Sequence, residues 1–168
     1  LVRIATLAMA ERGLEPEFPQ RVERELASIT GPGGEVGPDI HDLTALLWCS
    51  IDNDDSRDLD QLTVCELLDQ GLVRLWVAIA DVDALVKNGS AIDEHARHNT
   101  TSVYTAAQIF PMLPEKLSTD LTSLNFDEER LAVVVEMVIG ADGALQGSAI
   151  YRARVRNHAQ LAYNSVAA

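Results

Sequence analysis

Five aspartates fall within nine residues of the chain, from Asp52 to Asp60. Carboxylates held so close repel one another, and each resists ionisation beside the others. A divalent cation removes this repulsion, and proteins bind Mg²⁺ through oxygen ligands together with several waters. Apolar segments flank the run on both sides, which draws some of the acids toward the core and disfavours a bare solvated turn. The run therefore predicts a Mg²⁺ site.

The spacing within the run favours three of the five aspartates as ligands. Asp52 ends an apolar segment with the character of a strand. Asp58 and Asp60 are two residues apart, so on an extended segment they project to the same face. A loop that closes between Asp52 and Asp58 brings the three carboxylates together. Asp54 and Asp55 are expected to face solvent.

A calcium loop between two helices is an alternative interpretation of the same residues. Counted from Asp52, the first three ligand positions hold Asp52, Asp54 and Ser56. Position six is Arg57 where such loops need Gly, and position twelve is Thr63 where they need Glu. The pattern therefore disfavours a calcium loop.

Length, composition and charge limit the other possibilities. The chain has 168 residues, of which 47% are hydrophobic, enough for one ordinary domain with a core. No apolar stretch is long enough to span a membrane. The net charge of −13 is opposite to that of most nucleic-acid binders, but bound metal ions or basic partner domains can offset it. The start, without Met or a signal-peptide layout, suggests a piece of a longer chain.

Several residues that could be reactive are interpreted as structural. Cys49 and Cys65 lie in apolar runs and are predicted to be reduced core thiols of a cytoplasmic protein. His95 and His98 are predicted to lie on the polar face of a short helix rather than to bind metal. Tryptophans in apolar strands are expected in the core, and these are Trp48 and Trp76.

The elements that must position the aspartates are short and mixed. Helices are predicted over residues 1–13 and 19–29, and a Gly- and Pro-rich loop extends to residue 38. This helical N-terminal segment and linker, 1–38, is separated from the remainder, 39–168. Strands and helices alternate without a βαβ pattern, which predicts an α+β fold with a mainly antiparallel sheet and short helices. The predicted strands are 43–51, 59–67, 72–80, 131–139 and 144–155, and the predicted short helices are 81–86, 90–97 and 114–121.

Five blocks in a fixed order make the chain resemble the ribonuclease II (RNB) family. The first block is the most specific: Ile51-Asp52 is followed by Asp58-Leu59-Asp60-Gln61. The other blocks cover residues 77–90, 101–104, 111–125 and 130–143. The resemblance spans about residues 40 to 168 and implies the N-terminal half of an RNB-type catalytic domain, which is incomplete in this chain.

The resemblance assigns roles to individual residues. Asp52, Asp58 and Asp60 match three of the family's four metal-site aspartates, and Asp60 matches the one most closely tied to catalysis. Gln61 replaces the fourth, and its amide oxygen could still bind Mg²⁺ but brings no charge. Tyr104 matches a tyrosine that stacks on the nucleotide at the 3′ end, whereas without the resemblance a half-buried core tyrosine would be favoured.

The implied function is Mg²⁺-dependent, processive 3′→5′ hydrolysis of single-stranded RNA to nucleoside monophosphates. One or two Mg²⁺ ions are expected, and Mn²⁺ could replace them. The other half of the catalytic domain and flanking OB-fold RNA-binding domains are expected outside this chain, so the fragment alone should have little activity. Two alternatives stay open: a relative that binds RNA but has weakened catalysis, suggested by Gln61, and the calcium-binding domain.

Overall fold

The computed structural model describes residues 1–33 and 37–166, so the predicted Gly- and Pro-rich loop lies partly outside the described residues. The helices are α1 (Val2–Glu11), α2 (Gln20–Ser28), α3 (Ala91–Asn99) and α4 (Tyr163–Val166). The strands are β1 (Ile40–Asp42), β2 (Trp48–Asp52), β3 (Gln61–Leu67), β4 (Val73–Ala80), β5 (Val103–Tyr104), β6 (Ile109–Phe110), β7 (Glu129–Ile139) and β8 (Leu145–Ala162). None of the described helices is long and apolar enough to cross a membrane.

Six of these strands form one sheet in the order β1-β8-β2-β3-β4-β7, and β7 also pairs with β8. Strands β2, β3, β4, β7 and β8 therefore close into a ring. Neighbours within the ring are antiparallel except for β2 and β8, which are parallel. The α+β fold with a mainly antiparallel sheet is as predicted.

Strand β8 closes the ring because it is 18 residues long. Its first part, which ends at Arg156, pairs with β7. Its last part pairs with β2, from Asn157 opposite Trp48 to Ala162 opposite Asp52. The sequence predicted that this strand would end at residue 155. The prediction was too short because residues 156–162 lack a regular apolar alternation, and a partner strand far away in sequence supplies their hydrogen bonds.

The ring encloses the main core, in agreement with the prediction for the two tryptophans. Trp48 is 0% exposed and Trp76 is 7% exposed. The Trp48 indole N–H donates to the Leu43 carbonyl at 2.9 Å, so its polar atom is satisfied inside the core. The other buried members are Leu59, Leu62, Ala78, Leu124, Ala132, Val134, Ala153 and Val155.

A second cluster joins the N-terminal segment to the part that follows it. Val22 of α2 packs with Ile92 of α3 and with Leu117 of a short π-helical turn. Arg21 and Glu94 add an exposed ion pair at 2.9 Å. The separation of residues 1–38 from 39–168 stays a prediction, and the two parts share this cluster.

Two predictions about side-chain exposure were wrong. His95 is 2% exposed rather than on a polar face, because Glu15 and Asn99 provide partners for its two ring nitrogens, at 3.1 and 3.2 Å. Cys65 is exposed and Cys49 is half-buried, and both are free thiols. On β3 the buried residue is Leu62, so odd-numbered side chains of this strand face away from the core.

Candidate functional site

The aspartate run forms the connection between two neighbouring antiparallel strands. Strand β2 ends at Asp52, and β3 begins at Gln61. The connection begins with a turn in which the Ser56 N–H donates to the Asn53 carbonyl at 3.1 Å. Ser56 Oγ also lies 3.4 Å from Asp52 Oδ1. Because strands flank the run, the helices that a helix–loop–helix calcium site requires are not there.

Leu59 fixes the second half of this connection. Its side chain is 2% exposed in the core. Its N–H donates to Ser123 Oγ at 3.0 Å, and its carbonyl accepts a hydrogen bond from the Leu124 N–H at 2.9 Å. The Asp60 carbonyl accepts from the Ala80 N–H at 2.9 Å. Asp58 and Asp60 thus flank Leu59, whose backbone N–H and carbonyl both form hydrogen bonds.

The three predicted aspartates and Gln61 line one cavity of about 230 Å³. This cavity, hereafter the acidic cavity, is also lined by Ile51 and Tyr163. Within residues 1–33 and 37–166, no three His, Cys, Asp or Glu side chains stand close enough to hold a metal ion as placed. The carboxylates share a cavity without forming a closed ligand set.

Asp54 and Asp55 are exposed, as predicted. Neither lines the acidic cavity. Of the five aspartates of the run, Asp52, Asp58 and Asp60 line the acidic cavity and Asp54 and Asp55 lie outside it.

The carboxylates of the acidic cavity repel one another when they are ionised. Asp60 keeps contact with solvent, yet partial burial raises its pKa above the ordinary value by removing water from the charged form. The charges of Asp58 and Asp52 raise this pKa further. A divalent cation would relieve this repulsion. Carboxylate and amide oxygens are also the ligands that a hard cation such as Mg²⁺ prefers. The three carboxylates and the amide of Gln61 are therefore suitable ligands for Mg²⁺. Their side chains would have to rotate to bring the oxygens within reach of one ion.

The raised pKa of Asp60 predicts a dependence of stability on pH in the presence of a chelator. Above the folded-state pKa, Asp60 is ionised in both folded and unfolded chains, and only the fold bears the repulsion. Below the unfolded pKa, the group is neutral in both states and the difference vanishes. We therefore expect Asp60→Asn to raise the melting temperature at pH 7 and to change it little near pH 3.5. Thermal melts in EDTA measure this, with Asp54→Asn as the solvent-facing control, and a lower melting temperature at pH 7 would contradict it.

Tyr104 lies beside the acidic cavity on the β5–β6 hairpin. Its side chain is 66% exposed, so the half-buried core tyrosine expected without the resemblance is wrong. Its hydroxyl donates to Asp58 Oδ2 at 3.4 Å, and the negative charge of Asp58 is the main cause of its raised pKa. Tyr104 lines a second cavity of about 160 Å³, hereafter the tyrosine cavity, to which Asp58 also belongs.

Tyr163 is the cavity residue that sequence reasoning missed. It begins α4 directly after Ala162, and Ala162 pairs with Asp52 through the parallel contact of β8 with β2. Its side chain is 55% exposed. Local sequence carries no signal for this proximity, since more than a hundred residues separate Tyr163 from Asp52. Ser123 lay in a block of the resemblance, but its role in holding Leu59 became visible only in the structure.

Comparisons with known proteins agree on one family. The RNB domain family model matches residues 40–168. Ribonuclease R of Vibrio cholerae is 40% identical over 161 residues, covering 95% of this chain and 20% of that protein. Exoribonuclease 2 of Salmonella paratyphi B is 35% identical over 161 residues, covering 95% of this chain and 24% of that protein. The chain thus spans about a fifth to a quarter of the length of these relatives.

A solved structure gives the same result for the fold. Mycoplasma genitalium RNase R, in complex with ribose methylated single-stranded RNA, superimposes with a TM-score of 0.85 at 30% sequence identity. The match covers 94% of this chain and 25% of the solved chain. The ring of strands and the helices beside it are therefore the fold found in part of that enzyme.

Proposed function

Since the chain belongs to the RNB domain family, we propose that it is the front half of the catalytic domain of a Mg²⁺-dependent exoribonuclease, which degrades single-stranded RNA from the 3′ end to nucleoside monophosphates. The acidic cavity carries this proposal, because it gathers Asp52, Asp58, Asp60 and Gln61 in a family whose members include ribonucleases. The single-stranded RNA bound to the Mycoplasma enzyme supports RNA as the substrate.

In this proposal Asp52, Asp58 and Asp60 hold one or two Mg²⁺ ions, and Gln61 contributes an amide oxygen. Mn²⁺ has similar ligand preferences and could substitute. When bound, the metal supplies an activated water and stabilises negative charge at the phosphate. The protein contributes the placement of its ligands: the buried Leu59, held by Ser123 and Leu124, keeps the flanking carboxylates at the cavity.

The full-length protein tests the proposal with single-stranded RNA labelled at its 5′ end. We expect the labelled strand to be converted to a short fragment that keeps the 5′ label, while unlabelled nucleoside monophosphates are released from the first turnovers, in Mg²⁺ but not in EDTA. Early release of a labelled mononucleotide would indicate the opposite direction. Activity that is unchanged in EDTA would remove the metal from the proposal.

Tyr104 is proposed to stack on the terminal base of the RNA. Base stacking on an aromatic ring contributes about 1–3 kcal/mol per base. We therefore expect Tyr104→Ala to weaken RNA binding roughly tenfold, whereas Tyr104→Phe keeps the ring and should bind nearly as the parent does. Fluorescence anisotropy with a short labelled oligonucleotide in EDTA measures both. If the Phe variant lost as much affinity as the Ala variant, the hydroxyl bond to Asp58 would matter more than stacking.

The second half of the catalytic domain and flanking OB-fold domains are proposed to complete the enzyme, in the cytoplasm. The 168-residue chain alone is therefore expected to show little or no Mg²⁺-dependent activity on oligo-A, where the full-length protein is active. Turnover by the isolated chain at the rate of the full-length protein would show that this half is sufficient.

A relative that binds RNA without efficient catalysis is the second candidate, because the uncharged Gln61 lines the acidic cavity where the family pattern has a fourth aspartate. Tight RNA binding by the full-length protein, with no mononucleotide release at any Mg²⁺ or Mn²⁺ concentration, would favour it.

A further inference from the structure

Arg57 is the basic residue of the site. Among the described residues it is the only Lys, Arg or His that lines either the acidic cavity or the tyrosine cavity. The tyrosine cavity carries three carboxylates besides, those of Asp55, Asp58 and Glu115. An anionic ligand that enters beside Tyr104 therefore meets one guanidinium among acids.

The guanidinium of Arg57 is available to a ligand. In the described part of the chain, Arg57 takes part in none of the ion pairs, and its side chain is exposed. The ion pairs that arginines form lie elsewhere and involve Arg21, Arg74, Arg130, Arg152, Arg154 and Arg156.

The backbone that follows Arg57 is held in place at Leu59, whose N–H donates to Ser123 Oγ at 3.0 Å and whose carbonyl accepts from the Leu124 N–H at 2.9 Å. The Arg57 carbonyl lies 3.3 Å from the same Ser123 Oγ, whose single proton has a nearer acceptor in Asn125 Oδ1 at 2.9 Å.

Arg57 lines the tyrosine cavity together with Tyr104 and with Asp58, which the two cavities share. A cation in this position could meet a phosphate of an RNA strand whose terminal base stacks on Tyr104. Arginine presents a planar fork of donors that suits a phosphate better than the point charge of lysine.

We propose that Arg57 is a substrate-positioning residue that binds a backbone phosphate of single-stranded RNA next to the nucleotide on Tyr104. The inference rests on the proposed function and extends it to a contact that this chain supplies itself. It also places one positive charge at an acid-lined site in a chain of net charge −13. The competing explanation is that Arg57 only offsets the charge of the neighbouring aspartates.

Salt dependence distinguishes the two explanations. A phosphate contact releases counterions, so each contact to a single strand contributes about 0.7 to the slope of log K against log salt concentration. We expect Arg57→Ala in the full-length protein to weaken binding of a short single-stranded RNA on the order of tenfold and to reduce this slope by about 0.7. Arg57→Lys should keep the slope and recover part of the affinity.

Arg97→Ala is the matched control, because Arg97 is another exposed arginine without an ion pair among the described residues, on α3 and outside both cavities. Binding is measured by anisotropy in EDTA, so that the RNA stays intact. An Arg57→Ala variant with the affinity and slope of Arg97→Ala would overturn the inference while leaving the proposed function intact. A parent protein that binds no single-stranded RNA would overturn both.

Discussion

Replacing Asp60 with Asn in the full-length protein is expected to reduce Mg²⁺-dependent release of mononucleotides on the order of a thousandfold or more. Metal-assisted stabilisation of a phosphoryl transition state contributes several kcal/mol, and each 1.36 kcal/mol is a factor of about ten in rate. Partial burial raises the pKa of Asp60 and the charges of Asp58 and Asp52 raise it further, so Asp60 lies within the field of the other two. An amide at this position keeps the shape and removes the charge.

The control for this variant lies in the same connection between β2 and β3. Asp54 is exposed and outside the acidic cavity, so Asp54→Asn removes the same charge from the same loop without touching the site. We expect its activity to stay within a few-fold of the parent. Initial rates at saturating RNA and Mg²⁺ measure both variants. Comparable losses in the two would mean that general loop charge, rather than a ligand role for Asp60, governs the rate.

Replacing Gln61 with Asp is expected to raise the apparent affinity for Mg²⁺ by roughly ten- to a hundredfold. A unit charge about 4 Å from a cation interacts by about 4 kcal/mol per unit of ion charge at an effective dielectric constant of 20. Part of that gain is lost, because a fourth carboxylate adds repulsion to a cavity that already raises the pKa of Asp60. In EDTA the same variant should therefore melt at a lower temperature than the parent.

The half-saturating Mg²⁺ concentration for activity, together with calorimetry, measures the effect of Gln61→Asp. Gln146→Asp is a suitable control, because Gln146 is exposed in the first part of β8 and the substitution adds the same charge far from the cavity. An unchanged Mg²⁺ requirement would mean that residue 61 does not face the ion. Activity that appears only in Gln61→Asp would identify the natural protein as a catalytically weakened relative.

The parts of the fold that the sequence predicted are local. The β3–β4 hairpin pairs Leu67 with Val73 across a short turn, and its alternation is visible in the sequence. Helix α3 begins after Ser90, whose Oγ accepts from the Asp93 N–H at 3.3 Å, a common capping pattern. In these cases the stabilising contacts join residues a few positions apart, so the sequence contains them directly.

The parts of the fold that the sequence did not predict depend on contacts between residues far apart in the chain. Asp52 meets Ala162 only through a parallel strand pair, and parallel pairs need long connections that leave no turn signal. His95 is buried by Glu15, which lies 80 residues earlier. The position of Asp58 and Asp60 on either side of the buried Leu59 could be predicted because alternation along an extended backbone is a local rule, whereas the position of Tyr163 depends on the whole ring.

The hydrogen bonds that hold Leu59 have a consequence for the kinetics of ion exchange. The backbone between Asp58 and Asp60 forms hydrogen bonds to Ser123, Leu124 and Ala80, so we expect the main chain to keep its position whether or not the proposed ion is bound. Binding of the proposed ion would then require only rotation of the carboxylates, which takes place in nanoseconds or less. The rate of ion binding would then depend on how fast Mg²⁺ loses its own water, and we expect amide hydrogen exchange at Leu59 to be the same with and without the ion.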